Sequence, residues 1–191
     1  MKMYAFSAAL CVVLMSGSFA AAEPPVLFDG KSLENWTTEK GDPVPPAWEV
    51  KDGVIQLNRK AGKGGNIVSK HEYGNFDLSF QFKISKGGNS GIKYRVKKFD
   101  GKTLGCEYQV LDDEGVKNGE TKPKQRTASL YDVYEPRGNK RLNPAGEYNS
   151  ARIIVKDDNI RHYLNGEMVM EAKIGGDEWK KRIADSKFKK N

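Results

Sequence analysis

Alternating apolar and polar residues dominate the middle of the chain and predict β-strands. The clearest run covers residues 76–85, where five apolar positions fall on one face and five polar positions on the other. Such strict alternation is typical of a half-buried antiparallel strand. We expect the five apolar side chains to face inward; they are Phe76, Leu78, Phe80, Phe82 and Ile84.

Two hairpins are predicted where turn-forming dipeptides interrupt alternating segments. These dipeptides are Asp52-Gly53 and Asn165-Gly166, and both are favoured in tight β-turns. The predicted strand segments are residues 48–57 and 160–172 for the hairpins, and 91–96, 106–111 and 152–156 for the others. Because strands recur at regular spacing with Gly, Asn and Asp between them, the pattern predicts an all-β fold, a two-sheet antiparallel jelly-roll sandwich.

Helical periodicity occurs only near the end of the chain, where Trp179, Ile183 and Lys187 are spaced four residues apart. Asp177 follows two glycines and is placed to cap or begin this short C-terminal helix. Residues 177–191 carry six basic and three acidic side chains. We interpret the basic face as solvated rather than as a nucleic-acid or membrane surface.

The first 22 residues have the three-part pattern of a secretory signal peptide: Lys2, an apolar run, and then small residues. The apolar run at residues 4–15 is too short to span a bilayer. We therefore expect cleavage after Ala20 or Ala22, no membrane span, and export to the periplasm, the cell surface or the medium. The remainder, residues 23–191, is expected to form a single domain.

The composition of the chain excludes several kinds of structural and metal site. The chain has 191 residues, of which 38% are apolar and 30% charged, with a formal net charge of +7, and this fits one soluble domain. Two Cys and two His exclude a disulfide scaffold and a multi-histidine or Cys-cluster metal site. Cys106 is the one thiol outside the expected signal peptide. The sequence also lacks a nucleotide-binding fingerprint, so we expect no cofactor and no metal.

Two of the predicted strands carry an unusual set of polar residues. Glu107 and Gln109 share one face of their strand, Lys93 and Arg95 share one face of theirs, and Asn89 precedes the latter. If these strands are neighbours, the polar groups form either an ordinary solvent-facing sheet surface or a sugar cleft. Candidate aromatics for stacking on a pyranose ring are Tyr131, Tyr134 and Trp36, which could equally be core residues.

A series of short motifs runs through the chain in a specific order. They are VLFDGKSLENW at 26–36, WEVKDGVI at 48–55, YGNFDL at 73–78, GNSGI at 88–92, EYQVLD at 107–112, SLYDVY at 129–134, EYN at 147–149 and IRHYLNG at 160–166. In order and spacing they resemble the bacterial 3-keto-disaccharide hydrolase family, long called a domain of unknown function. The resemblance covers about residues 26 to 188.

This resemblance implies a concanavalin- or laminin-G-like fold with a ligand cleft on the concave side. It also implies an exported protein whose partner is an oxidised sugar, a glycoside carrying a ketone at C3. Family members continue past the basic helix with a strand ending in Gln-Asp-His-Gly and a last strand with an aromatic-Arg-Asn-Ile motif. We therefore expect the C-terminal strands of the family to be missing from this chain.

The implied reaction is removal of the C2 proton, β-elimination of the glycosidic oxygen and hydration, which together give net hydrolysis. We expect Glu107 to be the base and Arg95 or Lys93 to stabilise the enolate. Substrate-binding candidates are Asn89, Lys93, Gln109 and Tyr131. Asp112 and Asp113 are expected to form a turn rather than a metal site.

The alternative function is a non-catalytic, lectin-like carbohydrate-binding module on the same fold, because a fold does not determine activity. A protein-interaction domain is favoured only if the basic helix proves functional.

Overall fold

The structure, a computed structural model, describes residues 26–99, 101–115 and 121–190. The expected signal peptide at residues 1–22 lies outside these ranges. Within them, no helix has the length and apolar character needed to cross a membrane. The described residues form two compact units, divided after residue 72.

The first unit contains two small antiparallel sheets. Strands β1 (Trp36–Thr38) and β4 (Ile67–Ser69) form one pair, and β2 (Trp48–Lys51) and β3 (Val54–Leu57) form the other. The predicted turn between β2 and β3 is confirmed, because Asp52 and Gly53 both have positive φ angles, 51° and 75°. That left-handed conformation matches the twist of a tight hairpin and suits these two residue types.

The second unit contains a four-stranded antiparallel sheet with strand order β10-β9-β8-β5. Its strands are β5 (Phe76–Lys83), β8 (Tyr148–Lys156), β9 (Asn159–Leu164) and β10 (Glu167–Lys173). Burial alternates along β5 from residue to residue, and the five predicted inward side chains pack against the core. The second predicted hairpin, between β9 and β10, is also confirmed.

The second layer of this unit is the hairpin formed by β6 (Asn89–Phe99) and β7 (Lys102–Leu111). Gly91 pairs with Gln109 and Lys93 pairs with Glu107, so the two polar strands are neighbours, which the sequence pattern leaves open. The register shifts between Tyr94 and Lys97, where a β-bulge interrupts the pairing. A bulge reverses the normal alternation of side chains along its strand.

The two layers face each other through aromatic side chains. Phe80 on β5 contacts Tyr108 on β7 edge-to-face, with ring centroids 5.6 Å apart. The Tyr108 hydroxyl donates a hydrogen bond of 3.0 Å to the carbonyl of Tyr163 on β9. Packing of apolar faces from two antiparallel sheets is the arrangement of a β-sandwich, which confirms the predicted all-β class.

A buried histidine also links the two layers. His162 on β9 accepts a hydrogen bond at Nε2 from the Tyr94 hydroxyl, at 2.7 Å, and donates from Nδ1 to the Ala128 carbonyl, at 3.0 Å. Burial lowers the pKa of His162 from 6.5 to about 3, so the ring is neutral, which agrees with these roles. His162 is therefore a core residue joining the layers.

The predicted C-terminal helix is present as α1 (Asp177–Ala184) and begins at Asp177, as expected. Trp179 and Ile183 pack against the core. The helix ends before Lys187, because the Ser186 hydroxyl donates to the Ile183 carbonyl and accepts from the Phe188 amide. The prediction that Lys187 continues the helical stripe is therefore wrong, and this lysine lies on the segment that follows the helix.

Candidate functional site

A segment of tight turns, residues 128–134, lies beside β7 and forms an isolated β-bridge to it between Tyr108 and Leu130. The Tyr131 amide donates to the Glu107 carbonyl at 2.9 Å, and the Ala128 amide donates to the Gln109 carbonyl at the same distance. These backbone bonds place Tyr131 next to Glu107 although 24 residues separate them in sequence. Tyr131 is thereby brought beside the predicted site residues of β7, Glu107 and Gln109.

Gln109 is the most unusual polar residue of this layer, because only 2% of it is exposed. Its side-chain nitrogen donates to the Asn89 side-chain oxygen at 3.2 Å. Its own oxygen, Oε1, is buried and has no hydrogen-bond partner among the described residues. A buried acceptor without a partner destabilises the protein by about 1–3 kcal/mol, so a ligand that donates a hydrogen bond is favoured here.

Gln109 faces a cavity of about 310 Å³. The lining is rich in amide side chains, contains one aromatic ring and is formed by Gly87, Asn89, Gln109, Leu111, Gly115, Thr121, Gln125 and Tyr131. Amides that donate and accept hydrogen bonds, together with one aromatic face, suit a polyhydroxylated ring. Three of the predicted binding residues, Asn89, Gln109 and Tyr131, line this cavity.

Glu107 does not line the cavity but lies two residues from Gln109 on the same face of β7, about 7 Å along the strand. Its carboxylate lies over Gly91, where an added Cβ atom would be 2.5 Å from Oε1. Glycine at position 91 therefore makes room for this carboxylate. The Glu107 carboxylate forms no hydrogen bond or ion pair with the residues that the structure describes.

Burial raises the pKa of Glu107, and the positive charges of Lys93 and Lys187 oppose that rise. Lys93 is the direct cross-strand partner of Glu107 on β6. Lys187 reaches the same neighbourhood from the segment after α1. The result is a half-buried carboxylate between two lysines, with a proton affinity above that of an ordinary glutamate.

The structure does not bring Arg95 to this group. Its guanidinium donates to the Asp157 carbonyl at 2.7 Å, at the turn between β8 and β9, and more weakly to the Asn75 side chain. The physical reason is the bulge in β6, where Arg95 has a φ angle of 53°. The expected alternation of Lys93 and Arg95 on one polar face is therefore wrong at Arg95.

Asp132 was not a candidate from the sequence pattern, yet it organises the site. It is 4% exposed, accepts from Gln125 Nε2 at 2.7 Å through one oxygen, and accepts from the Lys187 amide at 2.7 Å through the other. Asp132 directly follows Tyr131, so its carboxylate links the cavity-lining Gln125 and the segment after α1 to the neighbourhood of Tyr131. The available signal was its position within the SLYDVY motif.

Of the three aromatic candidates, the structure places one at the cavity, Tyr131. Tyr134 is 7% exposed and contacts Trp179 and Arg182 of α1, so it packs beneath the helix. Trp36 lies half-buried in the other compact unit.

Both neighbouring aspartates are engaged by protein groups. Asp112 accepts from the Gly87 amide at 2.7 Å, which braces the turn before β6. Asp113 accepts from the Thr127 amide and forms an ion pair of 2.5 Å with Lys140, whose pKa burial lowers. Among the described residues, no group of three or more His, Cys, Asp or Glu is arranged to hold a metal ion.

Comparison with known proteins identifies the family of this chain. A family model described as 3-keto-alpha-glucoside-1,2-lyase-like domain matches residues 23–190. A curated relative from Bacteroides thetaiotaomicron, named 3-keto-disaccharide hydrolase, is 34% identical over 183 residues, which cover 85% of this chain and 62% of the relative. The chain thus spans less than two thirds of that relative's length.

Two crystal structures of candidate glycosyl hydrolases from Parabacteroides distasonis share the fold. One is 34% identical with a TM-score of 0.75, covering 86% of this chain and 78% of the other. The second is 31% identical with a TM-score of 0.64, covering 75% and 68%. The family model matches most of the chain and the curated relative is 34% identical, so the chain belongs to the 3-keto-alpha-glucoside-1,2-lyase-like domain family.

Proposed function

We propose that this chain cleaves the glycosidic bond of 3-keto-glycosides, with Glu107 as the general base. The observation that carries the proposal is the unpartnered, buried Oε1 of Gln109 in an amide-lined cavity beside the half-buried Glu107 carboxylate. The name of the Bacteroides relative, 3-keto-disaccharide hydrolase, supports the same substrate class. The amide-rich lining suits sugar hydroxyls, and the carboxylate suits proton removal.

The reaction follows from the acidity of carbon. A ketone at C3 acidifies the proton on C2, which Glu107 removes while the electron pair of that bond moves into an enolate. When the carbonyl re-forms, a C1–C2 double bond appears and the glycosidic oxygen leaves with the electron pair of the C1–O bond, taking up a proton from solvent, to which Glu107 releases the proton that it removed. Water then adds across the double bond, and the net change is hydrolysis.

The environment of Glu107 suits this step. Burial raises the pKa of its carboxyl, which strengthens it as a base towards a weakly acidic C–H bond. Lys93 and Lys187 oppose that rise, because their positive charges favour the ionised form of the carboxyl. Lys93, directly across from Glu107, also supplies positive charge towards a developing enolate.

The cavity residues bind and orient the sugar. Gln109 Oε1 accepts a hydrogen bond from a sugar hydroxyl. The Gln109 side-chain nitrogen donates to the Asn89 side-chain oxygen, which holds the amide in place. Tyr131 contributes an apolar ring to the wall. Orientation by such contacts brings the C2 hydrogen towards the carboxylate on the same strand face.

A second candidate is a non-catalytic sugar-binding module. It is favoured by one observation, that Glu107 lies beside the cavity rather than within its lining. A module of this kind uses Asn89, Gln109 and Tyr131 for binding and leaves the glycoside intact.

The deciding experiment compares the wild-type chain with Glu107→Gln on a 3-keto-glucoside carrying a chromogenic aglycone. We expect Glu107→Gln to lower kcat by about a hundredfold or more while KM changes little, because the amide keeps the shape but cannot take the proton. Glu147→Gln, at an exposed glutamate outside the site, is the matched control. Equal rates in wild type and Glu107→Gln contradict the assignment, and tight binding without release in the wild type favours the module.

We also propose that the protein is exported, which the order of Lys2, the apolar run and the small residues supports. Intact-mass measurement of the protein from its producing cells is expected to give a chain beginning at Ala21 or Glu23. A mass that includes Met1 contradicts export by a cleaved signal peptide.

A further inference from the structure

A lysine that the helical periodicity had placed on α1 lies instead against the site. Lys187 Nζ is 4.0 Å from the centroid of the Tyr131 ring and 5.1 Å from that of Phe188. Two aromatic faces attract a cation electrostatically and hold it in place. The ammonium therefore stands beside the ring that lines the cavity.

The backbone of Lys187 is held as well. Its amide donates to the buried carboxylate of Asp132, at 2.7 Å, and Asp132 is the chain neighbour of Tyr131. The Asp132 carboxylate thus holds the backbone of Lys187 next to Tyr131. Since Tyr131 also bonds to the Glu107 carbonyl, the lysine, the ring and the proposed base belong to one connected unit.

The ammonium of Lys187 remains free to bind a ligand. In the part of the chain that the structure describes, it forms no ion pair and no hydrogen bond, and its cation–π contacts leave its N–H donors unused. Arg95, the cation expected from the sequence, is in contrast bonded to the Asp157 carbonyl. The charge of Lys187 also reaches Glu107, whose pKa it lowers.

We propose that Lys187 is a further catalytic residue, the cation on the Tyr131 side of the site that stabilises the enolate oxygen at C3. The inference rests on the proposed function, because it requires an enolate. As Glu107 takes the C2 proton, negative charge develops on the C3 oxygen and the Lys187 ammonium neutralises it. Lys187 stays protonated throughout, and the electron pair passes on to expel the glycosidic oxygen.

The test compares Lys187→Met and Lys187→Arg with the matched control Lys189→Met, an exposed lysine two residues further on. We expect Lys187→Met to lower kcat by about tenfold to a hundredfold with KM changed by less than about threefold, and Lys187→Arg to restore most of the rate. Lys189→Met is expected to behave as wild type.

A pH profile separates catalysis from structure. Because Lys187 favours the ionised form of Glu107, its loss is expected to move the acidic limb of kcat/KM to higher pH, whereas Lys187→Arg leaves the limb in place. Should Lys187→Met melt more than about 5 °C below wild type, Lys187→Gln, which retains hydrogen-bonding capacity, replaces it in both measurements.

The outcomes are distinguishable from those of the proposed function. Full activity and an unmoved limb in Lys187→Met, together with an inactive Glu107→Gln, overturn the role of Lys187 and leave the base assignment standing. Equal rates in wild type and Glu107→Gln overturn the proposed function, and the role of Lys187 falls with it. A loss of rate in Lys187→Met that Lys187→Arg does not recover also contradicts a role that depends on charge.

Discussion

The polar faces of the two layers in residues 73–190 differ in how their polar groups are satisfied. On the four-stranded sheet, charged side chains pair with one another: Asp77 binds Arg152, and Arg161 binds Glu171 at 2.7 Å. On the β6–β7 layer, Glu107 has no ion pair among the described residues and Gln109 has an unpartnered buried oxygen. The charged groups of the first face are paired with one another, whereas the second face leaves a carboxylate and a buried amide oxygen without partners among the described residues.

This difference teaches how to distinguish a surface from a site on one fold. Exposed ion pairs contribute little to stability, and their charges, being already paired, do not favour binding of a ligand. A buried acceptor and a desolvated carboxylate each carry a free-energy penalty that a bound molecule can relieve. The alternation of apolar and polar residues predicts that both faces are polar. The two faces are distinguished only by whether each polar group has a hydrogen-bond or ion-pair partner.

The largest expected effect concerns His162, which joins the two layers that carry these faces. The folded protein keeps His162 neutral, with a pKa of about 3, whereas the unfolded chain binds a proton below about pH 6.5. Stability from this group is therefore complete above pH 6.5 and is lost progressively towards pH 3, by about 2 kcal/mol at pH 5. Urea unfolding at pH 7 and pH 5 measures the loss.

A variant isolates this contribution. His162→Gln, which cannot titrate, is expected to be less stable at pH 7 but to lose less stability between pH 7 and pH 5. His71→Gln, at an exposed histidine, is expected to retain the wild-type dependence. If wild type and His162→Gln lose equal stability on acidification, the neutral histidine is not the origin of the acid sensitivity.

An intermediate effect is expected at Gly91, beneath the proposed base. A Cβ there would be 2.5 Å from Glu107 Oε1 and 3.0 Å from the Tyr108 carbonyl, so Gly91→Ala must displace the Glu107 side chain. We expect a loss of kcat of about tenfold or more, since misplacing a catalytic group by about 1 Å has large effects. Steady-state kinetics on the 3-keto-glucoside check this.

Gly74→Ala is the matched control, because an added Cβ at that position meets nothing within 4 Å. It is expected to leave kcat unchanged. Wild-type turnover in Gly91→Ala would mean that the present position of Glu107 is unimportant to the reaction.

The smallest effect is expected on the polar face of the four-stranded sheet, where the charged side chains are paired. Asp77→Asn removes the charge that pairs with Arg152 on an exposed part of the sheet. We expect Tm to fall by no more than about 4 °C and kcat to remain at the wild-type value. Differential scanning calorimetry gives Tm and steady-state kinetics give kcat for Asp77→Asn and Glu107→Gln, and the two variants together test the contrast between the faces. A large loss of activity in Asp77→Asn would show that this face is also functional.

Local patterns predicted most of the second unit because they report local physics. The β5 alternation, the Asn165-Gly166 turn and the pairing of the two polar strands depend on neighbours in sequence or on a single register. The same reasoning failed at Arg95, where a bulge reverses the alternation, and at Lys187, where Ser186 ends the helix. Each failure comes from one local irregularity in the backbone, which a periodic sequence pattern cannot predict.

By itself, the sequence determined the all-β class, the hairpin turns, the start of α1, and which polar residues share a face on each of the two predicted strands. Only the tertiary structure decided which of these polar groups lack partners, since satisfaction depends on atoms distant along the chain. It also brought Tyr131 beside Glu107 through a backbone hydrogen bond, and Lys187 beside Tyr131 through the Asp132 carboxylate, which accepts from the Lys187 amide. Long-range contacts of this kind follow from how the layers pack, and no local pattern records them.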